Sequence, residues 1–300
     1  MEKNSSHMAF HFIRDYKNDP LYRLSFNQLA GKTFGIDFER WYQLGFWNDR
    51  YICYSFTQAN RVVANVSANR MEIIRQGKRM SAVQIGTVMT DPEYRGRGLA
   101  AKLMNIVLEE YEDQWDLIYL FANPTVQNFY PQFGFRSSIK ECRFFAKIRL
   151  NGRYPGNYRK LNLQQKGDLK LLVEKVNGRA TISDIFDVER GESILLWHCL
   201  YNFPQDIYYL NDLGVLAIAE LTDDTLHLYD VIGPEKADFI PIFQRIASVG
   251  VENVFFYFTP DFKDIPVMSA SYEPEDYTFF VRSGDISLKG GFFYPVTAHA

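Results

Sequence analysis

The residues most able to do chemistry lie in the segment 85–101, where a strand-like run gives way to a helix-like one. Arg95, Gly96, Arg97 and Gly98 follow an Asp-Pro turn and lead into the helical run. Glycines at positions 96 and 98 let backbone amides approach an anion with no Cβ in the way, and the first amides of a helix lack an internal partner. A strand, a glycine turn and a helix in this order can cradle a pyrophosphate, and the two arginines add positive charge. The alternative is a glycine-rich turn that only starts a helix.

Two other phosphate-binding motifs are excluded by the same residues. The sequence contains no G-x-x-x-x-G-K-S/T, and alanine at positions 100 and 101 leaves the G-x-G-x-x-G turn without its third glycine. A nucleotide hydrolase and a dinucleotide oxidoreductase are therefore poorly supported. No G-x-S-x-G elbow marks a serine nucleophile.

Composition places the chain among ordinary globular proteins. Of the 300 residues, 47% are hydrophobic and 23% are charged, and the length favours two domains. A net charge of −3 argues against a nucleic-acid-binding surface, and no apolar run approaches the roughly 18 residues of a membrane span. Met1–Met8 does not resemble a signal peptide, and Cys53, Cys142 and Cys199 form no C-x-x-C pair. We therefore expect a cytoplasmic protein without a disulfide scaffold or a structural zinc site, whose partners include neither nucleic acid nor membrane.

The elements that must position the glycine turn follow from the apolar pattern. Extended runs joined by short polar turns predict an antiparallel meander before the turn, at Tyr51–Thr57, Arg61–Arg75 and Arg79–Thr90. After the turn, an apolar stripe at a period of 3.6 predicts an amphipathic helix through Leu99, Leu103, Val107 and Tyr111. A buried strand at Leu117–Ala122 and a short helix over Thr125–Tyr130 follow. The predicted fold class is α/β (α+β), with a mixed, largely antiparallel central sheet flanked by helices.

The C-terminal half repeats this order of elements less distinctly. The segment 151–157 holds two glycines and a proline and is the best interdomain break, so we divide the chain into domains 1–150 and 151–300. The helices predicted in the second domain are Leu169–Val176, Ser193–Tyr201 and Glu235–Ser248. The strands predicted there are Tyr158–Leu163, Asp206–Leu210, Val215–Leu221, Leu226–Ile232 and Asn253–Phe258. Two halves with one order of elements indicate a duplicated domain.

Two sequence blocks resemble those of the GNAT N-acetyltransferases. The run Arg95-Gly96-Arg97-Gly98-Leu99-Ala100 fits the R/Q-x-x-G-x-G/A signature of that family, after a long strand and at the start of a helix. Downstream, the segment 123–135 is similar to the N-x-x-A-x-x-F-Y-x-x-x-G-F block, with Val126 where alanine is usual. The resemblance covers residues 9–150, and two blocks in the right order are far more specific than either alone.

The resemblance implies a fold, a co-substrate and a set of site residues. Acetyl-CoA would bind in a cleft where two adjacent parallel strands splay apart, with backbone groups of Val88 and Thr90 along the pantetheine arm. Amides of Arg95 through Ala100 would hold the pyrophosphate. Asn123 would orient the co-substrate or the reaction centre, and Tyr130 would protonate the leaving CoA thiolate. No metal and no covalent enzyme intermediate is expected, because the acyl group passes directly from thioester to amine.

The role of Tyr130 also makes chemical sense. A thiol of pKa about 8.5 leaves as thiolate, and a phenol of pKa about 10 is a competent proton donor at neutral pH. The structural alternative is a core aromatic beside Phe129 and Phe133. Asn123 has a structural alternative as well, because it precedes Pro124 and could be a simple turn residue.

The attacking amine needs a base, and the sequence does not identify one. An ammonium of pKa about 10.4 is overwhelmingly protonated at neutral pH, so about three pH units must be overcome before attack. Glu72 is the carboxylate that the central strands offer, and it is better explained as a solvated strand residue. Asp91 and Glu93 lie at the turn that precedes the glycines.

The C-terminal half offers a poor pyrophosphate site at the equivalent junction. The run Asp230–Lys236 has one glycine, a proline that removes an amide and an acidic residue where an arginine would help. We interpret this half as a degenerate GNAT-like domain that shapes the acceptor pocket, an arrangement similar to tandem GNAT proteins of the enhanced-intracellular-survival type. That type carries a further sterol-carrier-like domain, for which this chain is too short. We therefore expect no role for Ala300 as a terminal base, although the apolar segment Phe292–Ala300 could tuck into the fold.

Taken with the resemblance, the sequence predicts an N-acetyltransferase that moves the acetyl group of acetyl-CoA to a primary amine of a small molecule. Nothing in the sequence marks a groove for a basic peptide. Two alternatives stay open. One is a non-catalytic acyl-CoA-binding or interaction module, and the other is an acyltransferase that uses a different acyl-CoA.

Overall fold

Two seven-stranded sheets, with helices packed against them, make up the described part of the chain. The structure is a computed structural model that describes residues 9–137, 140–149, 158–247, 250–282 and 291–300. Most strand pairs are antiparallel, and each sheet contains one parallel pair. The predicted fold class, a mixed and largely antiparallel architecture flanked by helices, is confirmed.

The elements of the N-terminal part follow the apolar pattern closely. They are β1 (His11–Arg14), α1 (Pro20–Phe34), α2 (Glu39–Gln43), β2 (Tyr51–Gln58), β3 (Arg61–Arg75), β4 (Lys78–Thr90), α3 (Leu99–Tyr111) and β5 (Leu117–Ala122). The predicted meander is β2–β3–β4, and the predicted apolar stripe is the buried face of α3. Both predictions are confirmed because strand and helix periodicities differ clearly in this region.

The C-terminal part contains elements that the sequence pattern missed. Its elements are β6 (Glu141–Lys147), β7 (Arg159–Lys160), α4 (Lys166–Asn177), β8 (Phe186–Glu189), α5 (Glu192–Tyr201), β9 (Ile207–Leu210), β10 (Val215–Thr222), β11 (Thr225–Ile232), α6 (Phe239–Ile246), β12 (Asn253–Phe256), β13 (Met268–Tyr272) and β14 (Thr278–Arg282). Three of them, β8, β13 and β14, were not predicted. Each is four or five residues long, which is too short for a reliable period.

The first sheet has the strand order β1-β2-β3-β4-β5-β14, and β8 pairs with the C-terminal end of β3. Strands β4 and β5 run parallel from Ala82 opposite Leu117 to Ile85 opposite Leu120. Their pairing ends there, although both strands continue. The two strands therefore diverge beyond Ile85 and Leu120, and a cleft opens between them.

The second sheet has the order β13-β6-β12-β11-β10-β9-β7, with β11 and β12 as its parallel pair. Strand β6 comes from the N-terminal half, whereas β8 and β14 of the C-terminal half join the first sheet. The two halves thus exchange strands. The division at residue 150 stays a prediction, and the interdomain break at 151–157 lies outside the described residues.

The C-terminal segment, Gly291–Ala300, runs between the two sheets. The amide of Cys142 donates to the carbonyl of Phe292 at 2.8 Å, and the hydroxyls of Tyr294 and Tyr119 lie 2.5 Å apart. Phe292 and Tyr294 are fully buried, in a cluster that joins Tyr119 of the first sheet to Phe186. The segment is therefore part of the core.

Candidate active site

A cavity of about 310 Å³ opens where β4 and β5 diverge. Its wall combines the ends of α1, β4 and β5 with the segment after β5 and the last residue of the sequence. The lining residues are Phe34, Ile36, Ile85, Gly86, Thr87, Val88, Phe121, Asn123, Val126, Tyr130 and Ala300. Because no lining side chain carries a formal charge, the cavity presents an apolar surface with a few polar groups, as small-molecule sites do.

A bulge in β4 shapes one side of this cavity. The register between β3 and β4 shifts between Asn65 and Ser67, and Thr87 lies in the bulge with φ of 40°. Positive φ is costly for a β-branched residue. Three polar groups hold it: the Thr87 hydroxyl lies 2.7 Å from the Tyr51 hydroxyl and 2.6 Å from the Ser67 hydroxyl, and the Thr87 carbonyl accepts from the Asn65 amide at 2.9 Å. The bulge is fixed from behind and faces the cavity in front.

Tyr130 forms part of the opposite wall. Its side chain is 5% exposed, and its ring packs against Phe129, Phe135 and Phe280, with centroids 5.2, 6.2 and 5.8 Å away. Burial raises the pKa of Tyr130 to about 12. The phenol is therefore protonated throughout the physiological range, and no other described residue takes its hydroxyl as a hydrogen-bond partner. The hydroxyl is free to donate to a group in the cavity.

Asn123 starts the short 3-10 helix Pro124–Phe129 that carries the chain to Tyr130. Its Oδ1 accepts from the Thr125 amide at 3.0 Å and from the Thr125 hydroxyl at 2.9 Å. The side chain is a helix cap, which is the structural role left open for it by the sequence. It also lines the cavity, and its exposed amide group faces no described protein partner.

The glycine turn has the geometry that an anion cradle requires. Gly96 and Gly98 have φ of 75° and 72°, and a Cβ built on either meets nothing within 4 Å, so the space over the turn is open. Gly98 is the N-cap of α3 and supplies no side-chain hydrogen bond to the first-turn amides. These amides are available to a ligand. The residues present therefore fit a bound diphosphate.

Asp91 holds this turn in place from below. Asp91 is 2% exposed, and its carboxylate accepts a hydrogen bond from the Glu93 amide at 3.1 Å. The Lys32 ammonium donates to both carboxylate oxygens, each at 3.1 Å. Burial alone would raise the pKa of Asp91, but the Glu93 amide and the Lys32 ammonium lower it below its usual value. Asp91 is thus a structural anion that ties the turn to α1.

The comparisons with known proteins agree with this geometry. Residues 21–137 match the family model described as "Acetyltransferase (GNAT) domain". This range contains the bulge, the glycine turn, Asn123 and Tyr130. Residues 21–137 form a GNAT acetyltransferase domain. No curated protein sequence matches the chain.

Solved structures share the fold over most of the chain, which includes residues 21–137 and much of the C-terminal half. A conserved protein of unknown function from Enterococcus faecalis V583, described as a probable N-acyltransferase, matches with a TM-score of 0.58 at 18% identity over 92% of this chain and 72% of that one. Eis1 from Mycobacterium abscessus gives 0.56 at 13% identity over 92% and 73%. A GCN5-related N-acetyltransferase from Kribbella flavida gives 0.53 at 16% identity over 92% and 72%. At these identities the likeness is one of fold.

The predicted site residues of the GNAT domain fall into two groups. Val88, Asn123 and Tyr130 line one cavity. Thr90 and the run Arg95–Ala100 do not line it and instead form the end of β4, the glycine turn and the start of α3. Val88 and Thr90 both belong to β4, so this strand joins the cavity to the glycine turn, and the Arg95 side chain donates to the carbonyl of Thr90 at 3.2 Å.

None of the three candidate carboxylates is placed to act as base. Glu72 forms an ion pair with Arg190 at 2.9 Å and lies opposite Glu189 in the β3–β8 pair. Asp91 is held under the glycine turn, and Glu93 is exposed beside it. Glu72 lies at the far end of β3 from the cavity, and it is partly buried in an ion pair where a solvated strand residue was expected.

Ala300 lines the cavity, although no role as a terminal base was expected of it. A Cβ built on Gly86 would be 3.1 Å from the Ala300 backbone carbon and 3.2 Å from its backbone oxygen. Glycine at position 86 thus admits the end of the C-terminal segment. The apolar character of Phe292–Ala300 was the signal for this placement, but nothing in it specified the first sheet as its destination.

Other lining residues were missed because they carry no chemical signature. Phe34 and Val126 are large apolar residues that remain 49% and 43% exposed at the cavity rim, and Phe121 follows the parallel part of β5. Thr87 was missed because a bulge is a feature of register, which the type of a single residue does not specify.

Among the residues that the structure describes, no group of three or more His, Cys, Asp or Glu side chains is arranged to hold a metal ion. Among the helices so described, none combines the length and the apolar character that a membrane span requires.

Proposed function

We propose that this chain is an acetyl-CoA-dependent N-acetyltransferase whose acceptor is a primary amine on a small molecule. One observation carries the proposal: Val88, Asn123 and Tyr130 line a single cavity at the divergence of β4 and β5, next to an open glycine turn at the start of α3. A site for a thioester carrier needs both parts, a diphosphate cradle and a channel to the reacting carbonyl.

The glycine turn would hold the diphosphate. Open space above Gly96 and Gly98 admits the phosphates to the first-turn amides, and the α3 dipole adds positive potential there. Arg95 and Arg97 are exposed; they donate to the backbone oxygens of Thr90 and Glu93, and the Arg97 guanidinium also lies over the Tyr94 ring, 5.2 Å from its centroid. Neither arginine would have to break an ion pair with a described residue in order to reach a phosphate.

Tyr130 would manage the proton of the leaving group. Bound acetyl-CoA supplies a thioester carbon that a neutral amine can attack, which leaves a thiolate to be protonated. The Tyr130 phenol, protonated and without another described partner, can donate a hydrogen bond to the sulfur as charge develops on it. Because burial has made this phenol less acidic, its main contribution is stabilisation of the thiolate by hydrogen bonding, and any proton that it passes to the sulfur is replaced by the one that the attacking amine releases.

The C-terminal half would shape the acceptor pocket. Phe280 of β14 packs on the Tyr130 ring, and Ala300 forms part of the cavity wall. A cavity of about 310 Å³ is in the range of small-molecule sites and too small for a folded protein partner. The three cysteines are free thiols, which supports a reducing compartment such as the cytoplasm as the place of action.

The experiment is a panel of primary amines assayed by thiol release, run beside calorimetry with acetyl-CoA. We expect acetyl-CoA to bind and at least one small amine to release CoA. Tight binding with no turnover on any amine would favour the non-catalytic acyl-CoA-binding module. A comparison of acetyl-CoA with longer acyl-CoA donors on the same amine tests the second alternative, since a preference for a longer donor would overturn the acetyl assignment.

A further inference from the structure

The end of the C-terminal segment is held by a histidine from the other half of the molecule. His198, on α5, places its Nε2 2.8 Å from the backbone oxygen of His299. Its Nδ1 lies 2.8 Å from the side-chain nitrogen of Asn202. Both ring nitrogens of a buried histidine are therefore engaged, one by the segment and one by its own helix.

These two contacts fix the tautomer of His198. A backbone carbonyl can only accept, so Nε2 must carry the hydrogen and donate to His299. Nδ1 is then an acceptor, and it receives the Asn202 amide. Burial lowers the pKa of His198 to about 4, so the ring stays neutral and the pattern persists at physiological pH.

His299 lies directly against the proposed acceptor pocket. Its ring stacks on Phe121 with centroids 3.9 Å apart, and Phe121 lines the cavity. The next residue, Ala300, lines it as well and approaches Gly86. A shift of His299 by a fraction of an ångström therefore moves two parts of the cavity wall.

The rest of the segment is anchored elsewhere, on the second sheet. The pairing of β11 and β12 ends at Leu228 opposite Phe256. Beyond that point the Thr297 hydroxyl donates to Asp230 at 2.7 Å and the Val296 amide donates to the Tyr257 carbonyl at 3.1 Å. The segment thus fills the divergence in the second sheet that corresponds to the cavity in the first.

Among the described residues, one hydrogen bond from outside the segment reaches the backbone of its last two residues. Thr297 is fixed to the second sheet, whereas the backbone of His299 is held to the rest of the protein by His198. We propose that His198, oriented by Asn202, is a positioning residue that holds His299 so that Ala300 and Phe121 form the wall of the acceptor pocket. This inference rests on the proposed function, because it assigns His198 to the acceptor side of that site.

The first test measures steady-state kinetics of two His198 variants with the best amine of the panel. His198→Met keeps the volume and removes the donor, and His198→Gln keeps an N–H group at nearly the position of Nε2. We expect His198→Met to raise KM for the amine by about tenfold with acetyl-CoA affinity unchanged, on the scale of one lost buried hydrogen bond. His198→Gln should restore most of the loss. An unchanged KM in a folded His198→Met protein, or a loss that His198→Gln does not restore, overturns the proposal.

A control and a second measurement complete the design. His227→Met changes a histidine of β11 whose partner is Tyr257, away from the cavity lining, and should leave KM for the amine unaltered. Nitrogen NMR of the histidines in the unsubstituted protein should find His198 as the Nε2–H tautomer. The opposite tautomer overturns the inference even if the Met variant fails to fold. The NMR result does not depend on turnover. Failure of the proposed function, seen as no CoA release by the unsubstituted protein, is therefore distinguishable from failure of the inference about His198.

Discussion

The hydroxyl of Tyr51 lies 2.7 Å from the hydroxyl of Thr87, and this contact joins the aromatic core to the bulge at the cavity. Tyr51 is 1% exposed and packs edge-on against Trp41 and Trp47, with centroids 5.4 and 5.8 Å away. The tyrosine ring is therefore tightly packed on two sides. A β-branched residue at positive φ stays in place because a rigid neighbour holds its side chain.

Removing this contact should loosen the bulge. We expect Tyr51→Phe to lower the free energy of unfolding by about 1 kcal/mol and to lower turnover, because the Thr87 hydroxyl loses one of its partners. Tyr54→Phe is the matched control on the same strand, since the Tyr54 hydroxyl bonds Tyr111 at 3.0 Å away from the cavity lining. Chemical denaturation and thiol-release assays check both variants. Equal losses of activity in the two variants would contradict a role for the bulge.

Gly86 should tolerate no side chain while Ala300 stays where it is. In Gly86→Ala the new Cβ would meet the Ala300 backbone at 3.1 Å, so the end of the C-terminal segment must shift by a few tenths of an ångström and displace that part of the cavity wall. We expect KM for the amine to change by about fivefold or more, with a smaller effect on acetyl-CoA affinity. Gly31→Ala is the control, because its Cβ would be 3.8 Å from the nearest atom, the Ile36 oxygen. Unaltered kinetics in Gly86→Ala would mean that Ala300 does not form the pocket wall.

Charge reversal at the glycine turn should weaken the donor and spare the fold. Arg95 and Arg97 are exposed and form no ion pair with a described residue, and the one ring that they contact is that of Tyr94, so the double change to glutamate should leave the melting temperature nearly unaltered. Acetyl-CoA affinity should fall by about tenfold or more, and the loss should shrink as salt is raised. Arg143→Glu, an exposed arginine on β6, serves as the control. An acetyl-CoA affinity that the double reversal leaves unchanged would contradict the cradle.

His198 and His299 should make the stability of the fold sensitive to acid. Burial lowers the pKa of His198 to about 4, and burial together with the neighbouring His198 lowers that of His299 to about 3. The unfolded chain takes up these protons near pH 6.5 and the folded chain does not, so stability is complete above about pH 6.5 and is lost as the pH falls towards 4. Each histidine contributes up to about 1.4 kcal/mol per pH unit in that window.

Urea denaturation at several pH values checks this dependence. Replacing both histidines by glutamine should flatten the curve of unfolding free energy between about pH 6.5 and about pH 5. The comparison is made within each protein, so a lower absolute stability of the double variant does not affect it. A slope identical to that of the unsubstituted protein would mean that the buried histidines accept protons in the folded state.

The local apolar pattern was sufficient to predict the elements whose pattern is complete within one segment. The α3 stripe through Leu103 and Val107 and the strand at Leu117–Ala122 could be predicted because the apolar period in each is unbroken. The glycine turn could be predicted as well, since Gly96 and Gly98 adopt the positive φ that glycine alone accepts readily.

Features that depend on distant contacts could not be predicted this way. Strand β14 is short and gains its place from pairing with β5, and Phe280 from that strand completes the packing of Tyr130. The position of Thr87 depends on a register shift against β3, and that of Ala300 on a histidine about a hundred residues earlier. In each case the partner lies far away in the sequence, so a local pattern could not predict it. The acceptor side of the site was therefore the part that the sequence did not predict.

The most direct test of the account is thiol release by Tyr130→Phe, with Tyr209→Phe on the second sheet as the matched control. We predict that Tyr130→Phe binds acetyl-CoA as the unsubstituted protein does and turns over about a hundredfold more slowly, the usual scale for loss of a positioned acid, while Tyr209→Phe is unaffected. Full turnover by Tyr130→Phe would contradict the assignment of this cavity as the site of acetyl transfer with Tyr130 as its acid.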